Sequence, residues 1–268
     1  MFNTTENKYS SFRTRLSALS AYLPFIEGDT VGKHPIIKKV MKSIFKKRPS
    51  LPRQMVTYDV NVVLKHLHNM GDNNTLNTKQ LSHKLITLLC LLSGQRGQTI
   101  WSINTDYLFF SEEGCTIKIP AILKTTTPQF HVAPLIFKRF PQEPRLCVVS
   151  NLRRYLAVTS EIRGNEKRLF ISFAQPFKPV TVSTIRRWIT TILENAGINT
   201  QIFGAHSTRA AGTSKAYLQG IPLVEICRAA GWKNASSFAT HYNKEVIQQE
   251  NFGDSLLRSF HTEDLDSQ

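Results

Sequence analysis

The chain is short of carboxylates, of cysteine and of long apolar runs, and each shortage removes a class of function. Its 268 residues hold 19 Asp and Glu against 34 Lys and Arg, and few of those acids lie near the motifs described below. A nuclease that holds two metal ions on clustered acids is therefore a poor fit. The cysteines, Cys90, Cys115, Cys147 and Cys227, are far apart, with no Cys-x-x-Cys pair and no histidine spacing of a zinc site. Cys90, Cys147 and Cys227 sit in apolar runs and read as reduced core thiols of an intracellular protein. The longest apolar stretch, Leu85 to Leu92, is far too short to span a bilayer. Met1 to Ser10 is polar and lacks the apolar centre of a secretory signal. No cofactor, metal or membrane partner is expected.

The excess is of positive charge. The formal net charge is +15, which favours a polyanionic partner. Ten of the basic side chains lie in residues 1 to 50, with only three acids among them. That stretch reads as helix, turn, helix. Ser11 to Leu23 is apolar at roughly helical spacing, Pro24 and Glu27-Gly28-Asp29 break it, and His34 to Lys47 places Ile36, Ile37, Val40, Met41, Ile44 and Phe45 on one side. Lys38, Lys39, Lys42, Lys46 and Lys47 fill the rest of the second helix. Such a basic amphipathic helix suits nucleic acid or a membrane surface, and charge alone does not choose between them. Arg48-Pro-Ser-Leu-Pro-Arg53 is a stiff polar linker.

A larger unit follows. Tyr58 to Met70 and Asn77 to Ser93 read as helices, the second ended by Gly94. Short strands are expected at Tyr107 to Phe110, Cys115 to Pro120 and Phe130 to Pro134, with a turn at Glu113-Gly114 and a loop at Lys124 to Pro128. Helices resume at Val149 to Ile162, Val182 to Ala196, Ser207 to Gln219, Leu223 to Ala230 and Ser236 to Val246. The tail from Asn251 is polar and acidic. The expected organisation is a basic arm over 1–52, a main domain over 53–250 and a tail over 251–268. The fold class is mainly α with a small sheet.

The chemistry concentrates in the main domain. His206-Ser-Thr-Arg209 puts a histidine and an arginine one helical turn apart on the same face, and Tyr242 follows Arg209 by 33 residues in Ala-Gly-Trp-Lys-Asn-Ala-Ser-Ser-Phe-Ala-Thr-His-Tyr. Attack on a phosphodiester builds charge on the non-bridging oxygens, which fixed guanidinium forks stabilise without a metal. A tyrosine nucleophile needs nearby cations or a base, and Arg96, Arg209 and His206 are of the right type. Trp232 has one indole N–H to donate. Lys124, in a strand-loop-strand segment, suits protonation of the departing oxygen, with Lys118 as its local competitor. Taken singly, each has a bland reading: Arg96 as a helix cap, Lys124 as a surface lysine, Trp232 and Tyr242 as core. Their order and intervals together carry the assignment.

With Gly94-Gln-Arg-Gly-Gln-Thr-Ile100, Ala205-His-Ser-Thr-Arg-Ala-Ala211, Ala230-Gly-Trp232 and Tyr242-Asn-Lys244, the chain resembles the tyrosine recombinase (phage integrase) family. The flavour is that of recombinases from DIRS-type and related eukaryotic retroelements. The resemblance covers about residues 56 to 250, and residues 9 to 55 are similar to the last part of the family's helical core-binding domain. It implies the DNA breaking-rejoining fold, with Arg96 as first catalytic arginine and Lys124 as hairpin lysine. His206 and Arg209 match the His-x-x-Arg box, Trp232 holds the place of the second His or Trp, and Tyr242 that of the nucleophile. Two positions depart from the pattern: Thr99 stands where an acid is frequent, and Tyr242 lies ten residues after Trp232 rather than about nine.

The implied activity is site-specific cutting and rejoining of double-stranded DNA through a 3′-phosphotyrosine, by a tetramer assembled on DNA. The implied location is the nucleus in a eukaryote, or the nucleoid or cytoplasm in a bacterium. Lys38, Lys39, Lys42, Lys46, Lys47, Arg48 and Arg53, with Arg186 and Arg187, are the expected DNA contacts. Other readings are a catalytically silent DNA binder, a type IB topoisomerase, and a helix-turn-helix regulator presenting Arg186, Arg187 and Trp188 to DNA. The last leaves Tyr242 and Lys124 without roles.

Overall fold

The computed structural model describes residues 8–49 and 56–247. The chain divides into two compact units, Met1–Gln54 and Met55–Gln268. The first unit holds α1 (Tyr9–Tyr22) and α2 (Pro35–Lys47), with a short 3-10 turn at Val31–Lys33 before the second helix. Between the helices Ile26 and Asp29 exchange backbone hydrogen bonds across a turn in which Glu27 and Gly28 both take positive φ. Pro35 opens α2 at its first turn, where a missing N–H leaves no helical bond unmade. Tyr9 and Phe45 meet edge to face at 5.1 Å. The expected apolar side of α2 is only partly covered: Ile44 is buried, while Ile36, Val40 and Phe45 are exposed. Among the described residues of this unit only Val31 and Ile44 are buried apolar side chains.

The second unit is built around one helix. It begins with β1 (Val56–Tyr58) and α3 (Val60–Asn69), and the expected helix from Tyr58 starts late because Val56 to Tyr58 is taken by a sheet. Asp59 caps α3 by accepting from the Asn61 amide. The central helix, α4 (Thr78–Ser93), has 12 of its 16 residues buried. From Leu81 to Leu91 every residue is buried, the pattern of a helix enclosed by others. Asn77 and Gln80 form a reciprocal capping box at its start. Inside it, Ser82, Thr87 and Ser93 return their hydroxyls to carbonyls four residues back. Buried Lys84 donates to the Gly71 carbonyl.

After α5 (Gly97–Trp101) comes an antiparallel sheet in the order β2 (Leu108–Phe110), β3 (Gly114–Ile117) and β4 (Leu135–Lys138). The third strand lies later than the expected Phe130 to Pro134. Phe130 only closes a tight turn with Thr127, and Pro134 has no N–H for a ladder. From Leu135 the alternation is clean, with Leu135 and Phe137 inward and Ile136 outward. Then follow α6 (Val148–Thr159), α7 (Val182–Asn195), α8 (Ser207–Leu218), α9 (Leu223–Ala230), α10 (Ser236–His241) and β5 (Glu245–Ile247). Helix α4 packs against α6, α7 and α8. All four cysteines are buried and unpaired. Helix α10 stops short of the expected Val246, because residues 245–247 pair in parallel with β1.

Helix α8 lies so close to α4 that a Cβ at Gly212 would run into the Leu91 carbonyl. Gly212→Ala is expected to lower unfolding stability by about 1–3 kcal/mol through overpacking. Gly204→Ala, at a position with open space around it, leaves stability nearly unchanged. Urea denaturation of the two variants checks the contrast.

Candidate active site

The C-terminus of α4 places the first arginine. Gly94 takes φ 61°, the left-handed cap for which glycine pays no Cβ penalty, and the reversed chain makes Arg96 the N-cap of α5. Buried Gln95 donates from its side-chain amide to the Ala229 carbonyl at 2.6 Å, tying this corner to α9. Helix α8 brings the second arginine to the same corner. Arg209 is 1% exposed, and its Nη1 donates to the Gly94 carbonyl at 2.6 Å. Its Nε and Nη2 are buried and make no well-formed hydrogen bond among the described residues, although the Tyr242 hydroxyl interacts with the guanidinium. The guanidinium carbon lies 4.4 Å from the Trp232 ring centroid and 5.1 Å from that of Tyr242.

Trp232 follows Gly231, which ends α9 at φ 65°. The indole is buried and its Nε1 is likewise without a partner. It packs on Phe238 and on the Tyr242 ring, whose centroid is 4.7 Å away. Tyr242 is the C-cap residue of α10, and its amide donates to the Phe238 carbonyl. His206, the N-cap of α8, leaves its imidazole unused as a cap. That ring reaches Tyr242 instead, with Nε2 3.2 Å from the hydroxyl oxygen. When Nε2 is unprotonated, the hydroxyl donates to it.

Burial, and then the charge of Arg96, draws the Arg209 pKa down to about 10, against a rise from neighbouring Tyr242. The guanidinium still carries its charge at neutral pH. His206 is held below the ordinary imidazole value, first by burial and then by Arg209, Arg96, Arg186 and Lys244. The corner is thus a cationic pocket around a neutral imidazole, with three buried N–H donors left over. Such a pocket can receive an oxyanion.

Of the six catalytic candidates, His206, Arg209, Trp232 and Tyr242 are brought into contact, and Arg96 acts on two of them through its charge. Lys124 stands exposed on the loop between β3 and β4. Its competitor Lys118 lies over the Phe109 ring, with Nζ 4.9 Å from the centroid. Thr99 is buried in α5, and Arg209 takes its anchor from the Gly94 carbonyl rather than from an acid.

Among the expected DNA contacts, Lys38, Lys39, Lys42, Lys46 and Lys47 are exposed on α2, and Arg48 is partly buried. Arg53 lies outside the described residues. Arg186 and Arg187 are exposed on α7 and diverge, one acting on His206 and the other on His83. Trp188 does not face outward with them. It is 3% exposed, packed with His83, Phe170 and Phe173, because it continues the apolar stripe of Ile185, Ile189 and Ile192. The sequence reading missed Gln95, Ser214 and Lys244. Ser214, buried in α8, bonds to the backbone on both sides of Asn243. Among the described residues no three His, Cys, Asp or Glu side chains are grouped to hold a metal ion, and no helix is long and apolar enough to cross a membrane.

Residues 55–248 match the phage integrase family. No curated protein matches the chain in sequence. Among solved structures, XerH site-specific recombinase, bound to its difH substrate before cleavage, is 14% identical with a TM-score of 0.55 over 88% of this chain and 68% of that one. XerA recombinase is 16% identical with a TM-score of 0.52, over 98% of this chain and 84% of that one. The Tn1549 transposon integrase in complex with circular intermediate DNA gives 12% and 0.52, over 96% and 80%. At such identities the likeness speaks for the fold, whereas the family match spans most of the chain and the whole of the corner just described. The chain belongs to the phage integrase, or tyrosine recombinase, family.

Proposed function

We propose that the protein cuts and rejoins double-stranded DNA at specific sites through a phosphotyrosine ester on Tyr242. The observation that carries this reading is the Tyr242 hydroxyl 3.2 Å from His206 Nε2, beside a buried Arg209 whose Nε and Nη2 make no well-formed hydrogen bond among the described residues. In the reaction the hydroxyl oxygen attacks phosphorus and its proton passes to His206. Arg96, Arg209 and the Trp232 indole hold the non-bridging oxygens. The bond to the 5′ oxygen breaks, Lys124 gives that oxygen its proton, and the 3′ phosphate stays on Tyr242. Attack by the 5′ hydroxyl of another strand reverses every step, so the ester bond is conserved and no ATP is needed.

Exchange between two duplexes cuts four strands at one tyrosine each, which favours four protomers on DNA. The exposed α2 lysines supply phosphate contacts and a steep dependence on salt. Solved relatives of the same fold are held on DNA, among them a transposon integrase, which supports a duplex partner and an origin in a mobile element. Nuclear localisation follows if the host is a eukaryote.

The test uses a pool of nicked duplexes of randomised sequence, from which covalent protein–DNA adducts are isolated on denaturing gels. The wild-type chain is expected to form adducts whose nucleotide remnant maps to the peptide containing Tyr242, and Tyr242→Phe to form none while binding DNA normally. A remnant on Tyr217, which packs on Phe238 from outside the contact set, would overturn the assignment. For Lys124, a 5′-bridging sulfur makes a leaving group that needs no proton. Lys124→Ala should be about 100-fold or more slower on the oxygen substrate and near wild type on the sulfur one; equal loss on both rejects the general acid.

The acid side of the pH profile reports His206. Its pKa is lowered, so cleavage at subsaturating DNA should persist below pH 6.5 and fall only as the imidazole takes up a proton. Arg186→Gln removes one of the cations that lower it, and the acid limb should move to higher pH. An acid limb that survives unchanged in His206→Gln excludes His206 as the titrating base.

A further inference from the structure

Ser214 behaves unlike the neighbouring buried hydroxyls of α4 and α8. Thr87, Ser93 and Thr213 fold back on carbonyls four residues earlier in their own helices, the usual fate of such a side chain inside a helix. The Ser214 hydroxyl leaves its helix. It donates to the Tyr242 carbonyl at 2.6 Å and accepts from the Lys244 amide at 3.1 Å, and it is 1% exposed. One side chain of α8 therefore holds the backbone before and after Asn243, at the point where the chain leaves Tyr242 for β5.

The same helix carries His206 at its N-cap and Arg209 one turn in. Ser214 lies five residues, about 7.5 Å of helix, beyond Arg209. On the other side Tyr242 ends a helix of only six residues, too short to hold its shape alone. Its ring is steadied by Trp232 and its amide by the Phe238 carbonyl. Ser214 links the tyrosine's backbone directly to the helix of the cationic groups.

We propose that Ser214 is a positioning residue for Tyr242, referring the nucleophile's backbone to the helix that carries His206 and Arg209. The proposal rests on the reading of Tyr242 as nucleophile. Because both bonds are to backbone, the device is blind to the residues at 242 and 244 and acts on where the hydroxyl stands.

The experiment measures single-turnover adduct formation on duplexes captured from the randomised nicked pool, with DNA affinity measured separately by titration. Ser214→Ala is expected to slow adduct formation by about 10- to 100-fold, the range for a misplacement near 1 Å, with DNA affinity within about twofold. Ser214→Cys keeps the size and a weaker donor and acceptor, and should fall between the two. In hydrogen exchange the Lys244 amide should lose protection in Ser214→Ala while the amides of α8 keep theirs. Wild-type adduct rates in either variant overturn the proposal, as does a loss of DNA affinity in proportion to the loss of rate. Should Ser214→Ala fail to fold, Ser214→Cys alone decides on the same criteria. Tyr242→Phe, run alongside, separates the two failures. An adduct persisting in that variant, or none from the wild type, removes the nucleophile reading. Adducts abolished by Tyr242→Phe but formed at normal rate by the Ser214 variants remove the positioning role alone.

Discussion

The site depends on a guanidinium taken out of water and tied to the end of a helix. Arg209 donates to the Gly94 carbonyl, and that bond forms only because three other conditions are met. Helix α4 must stop at Gly94, the left-handed cap must turn its carbonyl towards α8, and α8 must approach closely enough for Gly212 to lie against Leu91. A Cβ at Gly94 would also press on Thr213 of the same helix, at 2.7 Å. The core of the unit and the geometry of the site are thus one problem of packing, solved around α4.

A buried cation whose donors are poorly satisfied, next to a second cation, is unfavourable in the free protein. Burial, Arg96 and the shortage of acids all act in the same direction on Arg209, and the indole Nε1 of Trp232 adds another buried donor without an acceptor. An anion placed between them relieves the repulsion and satisfies the donors together. Natural sites hold strain of this kind where binding is to release it. The lowered basicity of His206 is a by-product of the same charges, and it leaves the imidazole able to accept a proton from Tyr242.

Features with local causes were legible in the sequence. The bounds of α9 coincide with the expected Leu223 to Ala230, because Pro222 and Gly231 punctuate it. The end of α4 at Gly94 and the one-turn pairing of His206 with Arg209 were equally plain. Features with distant causes were not. Residues 56–58 and 245–247 become strands only by meeting each other, so one expected helix started too early and another ended too late. The buried place of Trp188 was readable, since Ile185, Ile189 and Ile192 mark its face, but the neighbouring arginines drew attention outward. Ser214 had no signal at all, as its partners are backbone atoms that any sequence would supply. Lys124 is exposed on the connection between β3 and β4, and no spacing in the sequence says what its side chain approaches.

The pairing of β1 with β5 joins the first and last described elements of the second unit, about 190 residues apart in the chain. Contacts of such long range are late to form, because the chain between them must be ordered first. During synthesis the partner strand at residues 56–58 waits for nearly the whole unit to emerge. Arg96 and Lys124 are made first, then His206 and Arg209, and the segment that anchors the tyrosine comes last. An unfinished chain therefore carries Arg96, Lys124, His206 and Arg209 before the Tyr242 backbone has its anchor, and the corner is complete only when the fold is.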